Sequence, residues 1–267
     1  VEENGWNYNV PGAIASVSPN VGQLNTLVTI SGSNLFGSGN SVQRVRLAGV
    51  VATVLNASNL QLVVQAAHGS AGVGDVEILA DTGALVIGAG RWTYNAAGVI
   101  DTVSPNFGQY GTNVTISGSR LRSSGGRVER VTLRGVAARI IQETDNVVVV
   151  VASEASGSSL GFGDVVLTAD TGATTSLVNG WEYRAGGVIQ TVTPSVGQIG
   201  TRVAIQGTSL RGSGGHVVRV TLNGVDVQSI SSETDTVVEV VAARSNGSGP
   251  GEIVLYADTG AVVSLNN

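Results

Sequence analysis

The chain has 267 residues, 38 of them glycine, with 14 basic against 19 acidic side chains and neither cysteine nor methionine. Every basic residue is arginine and the net charge is −5, which argues against nucleic-acid binding, since a phosphate backbone demands clustered cations. The 42% hydrophobic share can supply a core, the missing cysteine removes disulfides and thiolate metal sites, and the longest wholly apolar run, Val147 to Ala152, falls far short of the ~20 residues of a membrane-spanning helix.

In chain order, residues 1–11 open with Asn4-Gly5-Trp6, which matches Asn179-Gly180-Trp181, so they read as the last strand of a preceding or neighbouring repeat. Residues 12–97 form the first full unit. Its heptapeptide Val17-Ser18-Pro19-Asn20-Val21-Gly22-Gln23 returns at Val103 with Phe107 as a change and at Val192 with Thr193 and Ser195 as changes, offsets of 86 and 89. The unit continues through a Gly/Ser loop at 37–40, a tight Ala48-Gly49 turn, an Asp81-Thr82-Gly83 turn and a closing Trp92/Tyr94 pair. Residues 98–186 repeat that order with a loop at 123–126, Arg134-Gly135, Asp170-Thr171-Gly172 and Trp181/Tyr183. Residues 187–267 repeat it again with a loop at 212–215, Asn223-Gly224 and Asp258-Thr259-Gly260. Because Gly83 to Trp92 and Gly172 to Trp181 each span nine positions, the third tryptophan is expected at position 269, and repeat 3 is expected to lack its final strand.

Within each unit the apolar residues alternate, as in Val114/Ile116 and Val131/Leu133, which is the pattern of strands with one buried face. Asn223-Gly224 between two such runs predicts a primed hairpin turn. About seven short strands per unit predict an immunoglobulin-like β-sandwich without the immunoglobulin disulfide. The second unit carries Ile-x-x-Val-Ser-Pro-x-x-Gly (Ile100 to Gly108), Gly-Thr-x-Val-Thr-Ile-x-Gly-x-x-Leu (Gly111 to Leu121), Val-x-Leu-x-Gly-Val (Val131 to Val136), Gly163-Asp164-Val165 and Trp181-x-Tyr183. This order resembles the IPT/TIG domain over essentially the whole chain. The departures are Leu24-Asn25-Thr26 for Gly-Thr in the first unit and Gly251-Glu252-Ile253 for Gly-Asp-Val in the third. The resemblance implies an all-β chain of three tandem immunoglobulin-like (IPT/TIG, E-set) sandwiches in a rod. Such domains occur in tandem in extracellular parts of plexin-like receptors and in microbial surface proteins, where they space, stiffen or bind.

Residues that could carry chemistry are sparse. Asp81, Asp170 and Asp258 stand in the Asp-Thr-Gly signature of aspartic proteases, but one per sandwich cannot bring two carboxylates together. His68 and His216 occupy non-equivalent loops and lack a partnering nucleophile or second metal ligand. Asp75, Asp164 and Glu252 with Arg44, Arg130 and Arg219 form a repeated polar set expected to pair across strands or domains. Trp6, Trp92 and Trp181 with Tyr8, Tyr94 and Tyr183 fit a core-facing strand better than a sugar-stacking platform, while Phe36 and Tyr110 are weaker contact candidates. Asn56, Asn113 and Asn246 head N-glycosylation sequons, and Asn113 is expected on the outward phase of its strand. No catalytic residue, cofactor or metal site is expected, nor are Lys-Asn isopeptide bonds, since lysine is absent.

Four residues separate Tyr94 from Val99 and Tyr183 from Val188, too few for free swinging, so neighbouring units are expected to touch. Trp6, Tyr8, Asn95 and Arg184 are the candidates for contacts between repeats or for strand complementation. Two readings of the chain ends stand open: a window on a longer array, or an amino-terminal strand that completes the third domain of a neighbouring chain. The expected role is a non-catalytic extracellular or cell-surface module, a stalk or the shaft of a filament or appendage. Its expected partners are further repeats, identical chains, other surface proteins or glycans. The alternative is a ligand-binding array recognising carbohydrate or a protein receptor through the Gly/Ser loops.

Overall fold

The computed structural model describes residues 5–265. Repeat 1 contains β1 (Ala13–Ser18), β2 (Val21–Gly22), β3 (Leu27–Ser33), β4 (Val42–Leu47), β5 (Val50–Ala57), β6 (Gln61–Gln65), β7 (Gly72–Ala80) and β8 (Leu85–Tyr94). Repeat 2 contains β9 (Val99–Ser104), β10 (Phe107–Gly108), β11 (Asn113–Ser119), β12 (Val128–Leu133), β13 (Val136–Glu143), β14 (Val147–Val151), β15 (Gly161–Ala169) and β16 (Thr174–Tyr183). Repeat 3 contains β17 (Val188–Thr193), β18 (Arg202–Thr208), β19 (Val217–Leu222), β20 (Val225–Asp226), β21 (Ser229–Glu233), β22 (Val237–Val241), β23 (Ile253–Ala257) and β24 (Val262–Leu265).

In repeats 1 and 2 the strands form two faces joined by one long strand. The order is β1-β3-β6-β5-β4-β7-β8-β2, and repeat 2 has the equivalent path. The first half of β5 pairs with β4 and the second half with β6, so the strand passes from one sheet to the other. In repeat 3 the corresponding segment is split at Val227-Gln228, leaving two four-stranded sheets. Asp226 and Ser229, poor strand formers, stand at the split.

The alternation dictates the core. Val28 and Ile30 of β3, Val114 and Ile116 of β11, and their equivalents point between the sheets and are buried. Each such side chain contributes about 1.5–3 kcal/mol on burial. Trp92 and Tyr94 complete the first core and Trp181 and Tyr183 the second, each pair meeting edge to face at 5.4 Å. This is the core placement the i, i+2 spacing predicts for these two pairs; Trp6 and Tyr8, expected to face a core in the same way, are exposed instead, and residues 5–11, expected to continue a strand, belong to none. The predicted primed turns also form, with φ of 51° and 74° at Asn223 and Gly224, 46° and 80° at Ala48 and Gly49, and 50° and 78° at Arg134 and Gly135. The peptide bonds before Pro19, Pro105 and Pro194 are all cis.

A short parallel pairing closes the lower edge of the first two sandwiches. Val21 and Gly22 lie beside Thr93 and Tyr94, and Phe107 and Gly108 beside Glu182 and Tyr183. Among the described residues, the equivalent Val196 and Gly197 of repeat 3 pair with no strand and are exposed.

Candidate functional site

The feature that recurs in this chain is the junction between repeats. Each junction joins the loop that follows the cis-proline strand of one repeat to the Asp-Thr-Gly turn of the next. In the first, Leu27 N–H donates to Thr171 O at 2.9 Å and Thr174 N–H to Leu24 O at 3.1 Å. In the second, Asn113 N–H donates to Thr259 O at 2.8 Å and Val262 N–H to Tyr110 O at 3.0 Å. These are the same two bonds between the same two repeat positions. The Asp-Thr-Gly hairpin is therefore a plug, and the glycine that turns it (φ 85° in both) presses on the preceding repeat. A Cβ on Gly172 would lie 3.0 Å from Leu27 Cγ, and one on Gly111 would lie 2.8 Å from Gly260 O.

A glutamine secures each linker. Gln23 and Gln109 are each only 3% exposed, although they sit in loops. Gln23 Nε2 donates to the carbonyl oxygens of Asn95 and Gly69. Gln109 Nε2 donates to Val262 O at 2.8 Å, while its Oε1 accepts from Gly187 N–H at 2.8 Å. A buried amide satisfied in this way costs 1–3 kcal/mol to remove from one side, because its partners are left unmade. Nothing in the residue type marks these glutamines as buried; only their recurrence after Val-Gly or Phe-Gly signals it.

Asn95 reaches across the first junction, its Nδ2 donating to Ser124 Oγ at 2.6 Å. Arg184 does not cross. Its guanidinium lies over the Phe107 ring at 3.7 Å and pairs with Glu182 at 3.1 Å, both within repeat 2, because a cation finds its aromatic and carboxylate neighbours on the strand edge beside it. Trp6 and Tyr8 are 84% and 88% exposed, paired edge to face at 5.8 Å.

The Gly/Ser loops sit at the same joints. Ser123 is buried with its hydroxyl 2.6 Å from Thr175 Oγ1, and Gly212 is buried against Ala261 and Gln109. Only the loop at 37–40 has no preceding repeat covering it among the described residues. The aspartates of the three Asp-Thr-Gly turns hold these loops. Asp81 accepts from Asn40 N–H, Asp170 from Gly126 N–H and Asp258 from Gly215 N–H. Each carboxylate thus has a local partner in its own sandwich.

The repeated acids and arginines do not pair with one another as expected. Asp75 and Asp164 accept from the backbone of Gly90 and Asn179, while Arg219 turns to Asp226 at 2.6 Å and to the Tyr256 ring. The strong ion pairs lie elsewhere: Arg122 grips both oxygens of Glu143, and Arg211 grips Glu233. His216 Nδ1 also lies 2.9 Å from Glu233 Oε1, whereas His68 stays in its exposed loop. Among the described residues no cluster of three or more His, Cys, Asp or Glu is placed to hold a metal.

The Arg211 guanidinium, aided by His216 and the Val217 N–H, holds the Glu233 carboxyl down to about 2 from its ordinary 4.5, and Arg122 lowers Glu143 in the same way. A lowered folded-state value means that the bridge stabilises fully above pH 4.5 and that the benefit is lost as pH falls through about 2. Thermal melts should therefore lose stability steeply between pH 4.5 and 2. Glu233→Gln should be less stable at neutral pH and show a shallower acid limb; an unchanged limb would show that this pair does not govern it.

Asn56 and Asn246 are exposed. Asn113 takes the outward phase predicted for it, between buried Thr112 and Val114. Its amide nevertheless abuts Gly260 of repeat 3, and its N–H is spent on the junction, so the atom that would carry a glycan faces the joint. Tyr110, Arg139 and Ser153 of repeat 2 and Tyr256 of repeat 3 line an open cleft of about 380 Å³ at that joint.

Sandwiches with a common order of their main strands, joined by one repeated set of bonds, define a tandem immunoglobulin-like repeat array. The IPT/TIG domain description matches residues 13–94, 99–179 and 188–267, and the chain belongs to that family. No curated protein matches it significantly in sequence. Solved structures that it is similar to include the plexin A4 full extracellular region, at 19% identity and a TM-score of 0.48 over 94% of this chain and 23% of that one. Another is SGBP-B of the Bacteroides ovatus mixed-linkage glucan utilization locus, in complex with a mixed-linkage heptasaccharide, at 14% identity and a TM-score of 0.28 over 98% of this chain and 65% of that one. A third is a putative phosphatase from Bacteroides thetaiotaomicron, at 14% identity and a TM-score of 0.31 over 98% of this chain and 48% of that one.

Proposed function

We propose that this chain is a non-catalytic structural or adhesive segment that works outside the cell or at its surface, as a stiff stalk or as the shaft of a filament or appendage. The observation that carries the reading is the duplicated junction: two backbone bonds and a buried glutamine in each of two successive joints, across linkers of four residues. Joints fixed in this way add stability between nearest neighbours and remove the freedom that a flexible tether would leave. The aspartates of the three Asp-Thr-Gly turns and Glu143 and Glu233 are engaged in local structural bonds, and among the described residues no cluster of three or more His, Cys, Asp or Glu converges.

Ten-residue strands such as Leu85–Tyr94 and Thr174–Tyr183, with their end loops, make each sandwich on the order of 30–40 Å long, and three in line about 100 Å. Small-angle scattering of the monomeric chain should give a single elongated particle of about that maximum dimension. A broad distribution of shorter dimensions would overturn the stiff-rod reading. Saturable binding in a glycan screen, lost on substitution in the 37–40 loop, would favour the ligand-binding alternative instead.

A further inference from the structure

The second joint carries side chains that its closure does not require. Both joints are closed by the same pair of backbone bonds, from Leu27 and Thr174 in the first and from Asn113 and Val262 in the second. The residues around those bonds differ. Leu24, Thr53, Ala67 and Thr168 occupy in the first joint the positions that Tyr110, Arg139, Ser153 and Tyr256 occupy in the second, as the strand registers align them. The first joint is also bridged by side chains, since Asn25 Nδ2 donates to Thr174 Oγ1 at 2.9 Å. Gly111 and Val262 stand at those two positions in the second joint, and there the cleft of about 380 Å³ opens.

Two aromatic rings, short polar groups and one charge line this cleft. Tyr110 is 52% exposed, and the half-buried Tyr256 ring has the Arg219 guanidinium 4.8 Å from its centre. Among the described residues lining the cleft Arg139 alone is charged; Glu154, next in sequence to Ser153, does not line it. Among the described residues the two tyrosine hydroxyls, the Asn113 side-chain amide and the Arg139 guanidinium have no hydrogen-bond or ion-pair partner, whereas Arg219 is taken by Asp226 at 2.6 Å. A free guanidinium is a planar fork that fits a carboxylate with two parallel bonds. An exposed tyrosine offers an apolar face with a hydroxyl at its edge, which suits a ligand with an apolar face and a rim of hydroxyls. A pyranose ring has both. The cleft lies at a boundary between domains and within the range of about 300–1,000 Å³ typical of small-ligand sites. The fixed joint holds its walls in place before any ligand arrives, which lowers the cost of binding.

We propose that the cleft binds a saccharide carrying a carboxylate, a hexuronate or a sialic acid, with its ring against Tyr110 and Tyr256 and its carboxylate on Arg139. Its hydroxyls meet the tyrosine hydroxyls, the Asn113 amide and the Ser153 oxygen, which gives its own proton to Ala137 O at 2.6 Å and keeps its lone pairs for a ligand donor. An acidic peptide would satisfy the arginine but brings no rim of hydroxyls for the other groups. Repeat 2 supplies Tyr110, Asn113, Arg139 and Ser153 and repeat 3 supplies Tyr256, so the site is complete only while the joint is closed. A ligand that binds only the closed joint also stabilises it. The inference goes beyond the stalk reading, since it gives one joint of the array a ligand of its own.

The test titrates the 267-residue chain with a galacturonic acid disaccharide and, separately, with sialyllactose, following backbone amide resonances by NMR. At least one of the two acids should saturate a single site with a dissociation constant of about 1 mM. The resonances that move should lie in both 110–113 and 256–262, on the two sides of the joint. Arg139→Gln should weaken binding at least ~10-fold and Tyr110→Ala about 10-fold. Both variants should keep the parent urea midpoint, because each alters an exposed side chain without a partner. The methyl ester of the bound acid should bind the parent chain as weakly as the acid binds Arg139→Gln. Equal binding of that ester, equal binding of a tri-glutamate peptide, shifts confined to one repeat, or no saturation by either acid overturns the proposal. Scattering from the unliganded chain decides the rod separately.

Discussion

Trp181→Ala should be the most damaging single substitution in the second repeat, costing about 3–5 kcal/mol. Trp181 is 0% exposed, sits against Tyr183 and Leu177, and belongs to the strand that leads directly into the second linker. Its removal leaves a cavity between two sheets whose other side chains cannot collapse into it without losing register. Equilibrium urea unfolding should show the loss as a fall in midpoint at unchanged slope. Trp6→Ala provides the control, because the same residue type at the same motif position is solvent-exposed in the monomer and should leave its midpoint within about 0.5 kcal/mol of the parent. Equal losses from the two substitutions would refute the burial assignment.

Gly111→Val should uncouple the third repeat without unfolding the second. Gly111 has φ of 86°, a conformation that a β-branched residue resists, and its new Cβ would lie 2.8 Å from both Gly260 O and Val262 Cγ2. Backbone strain of this kind costs about 1–3 kcal/mol, and the joint can relieve the steric part only by releasing the Asp-Thr-Gly plug of repeat 3. The expected result is a second, earlier unfolding transition for repeat 3 and a wider distribution of maximum dimensions in scattering. A single transition at the parent midpoint would mean that the two backbone bonds contribute little to coupling.

Much of this architecture is legible in the sequence, and the reasons differ by residue. The alternation in Val114/Ile116 and Val131/Leu133 survives into the fold because a pleated strand has no other way to sort its faces. Asn223-Gly224 fixes a turn because two successive positive φ values admit few residue types. The joints were not legible to the same degree. Gln23 and Gln109 carry polar side chains that are buried because the Asn95 carbonyl of one linker passes the first and the Gly187 N–H of the other linker and the Val262 carbonyl of repeat 3 pass the second, a fact of tertiary approach that no local pattern encodes. The Gly/Ser loops suggested a ligand surface, but the sequence gives no sign that Ser124 and Gly212 lie against Asn95 and Gln109 of the preceding repeat. The Arg122–Glu143 and Arg211–Glu233 pairs join residues 21 and 22 positions apart, whereas the repeated acids and arginines that drew attention proved to serve turns and strand edges. Asn113 had the right phase and the wrong neighbour: alternation places a residue on a face but is silent about what stands opposite.

Because the sandwiches share a plug at one end and its socket at the other, a whole unit could be gained or lost without a compensating change at the seams. Reach then becomes a heritable quantity counted in modules, adjustable by copy number while each individual domain stays as it was.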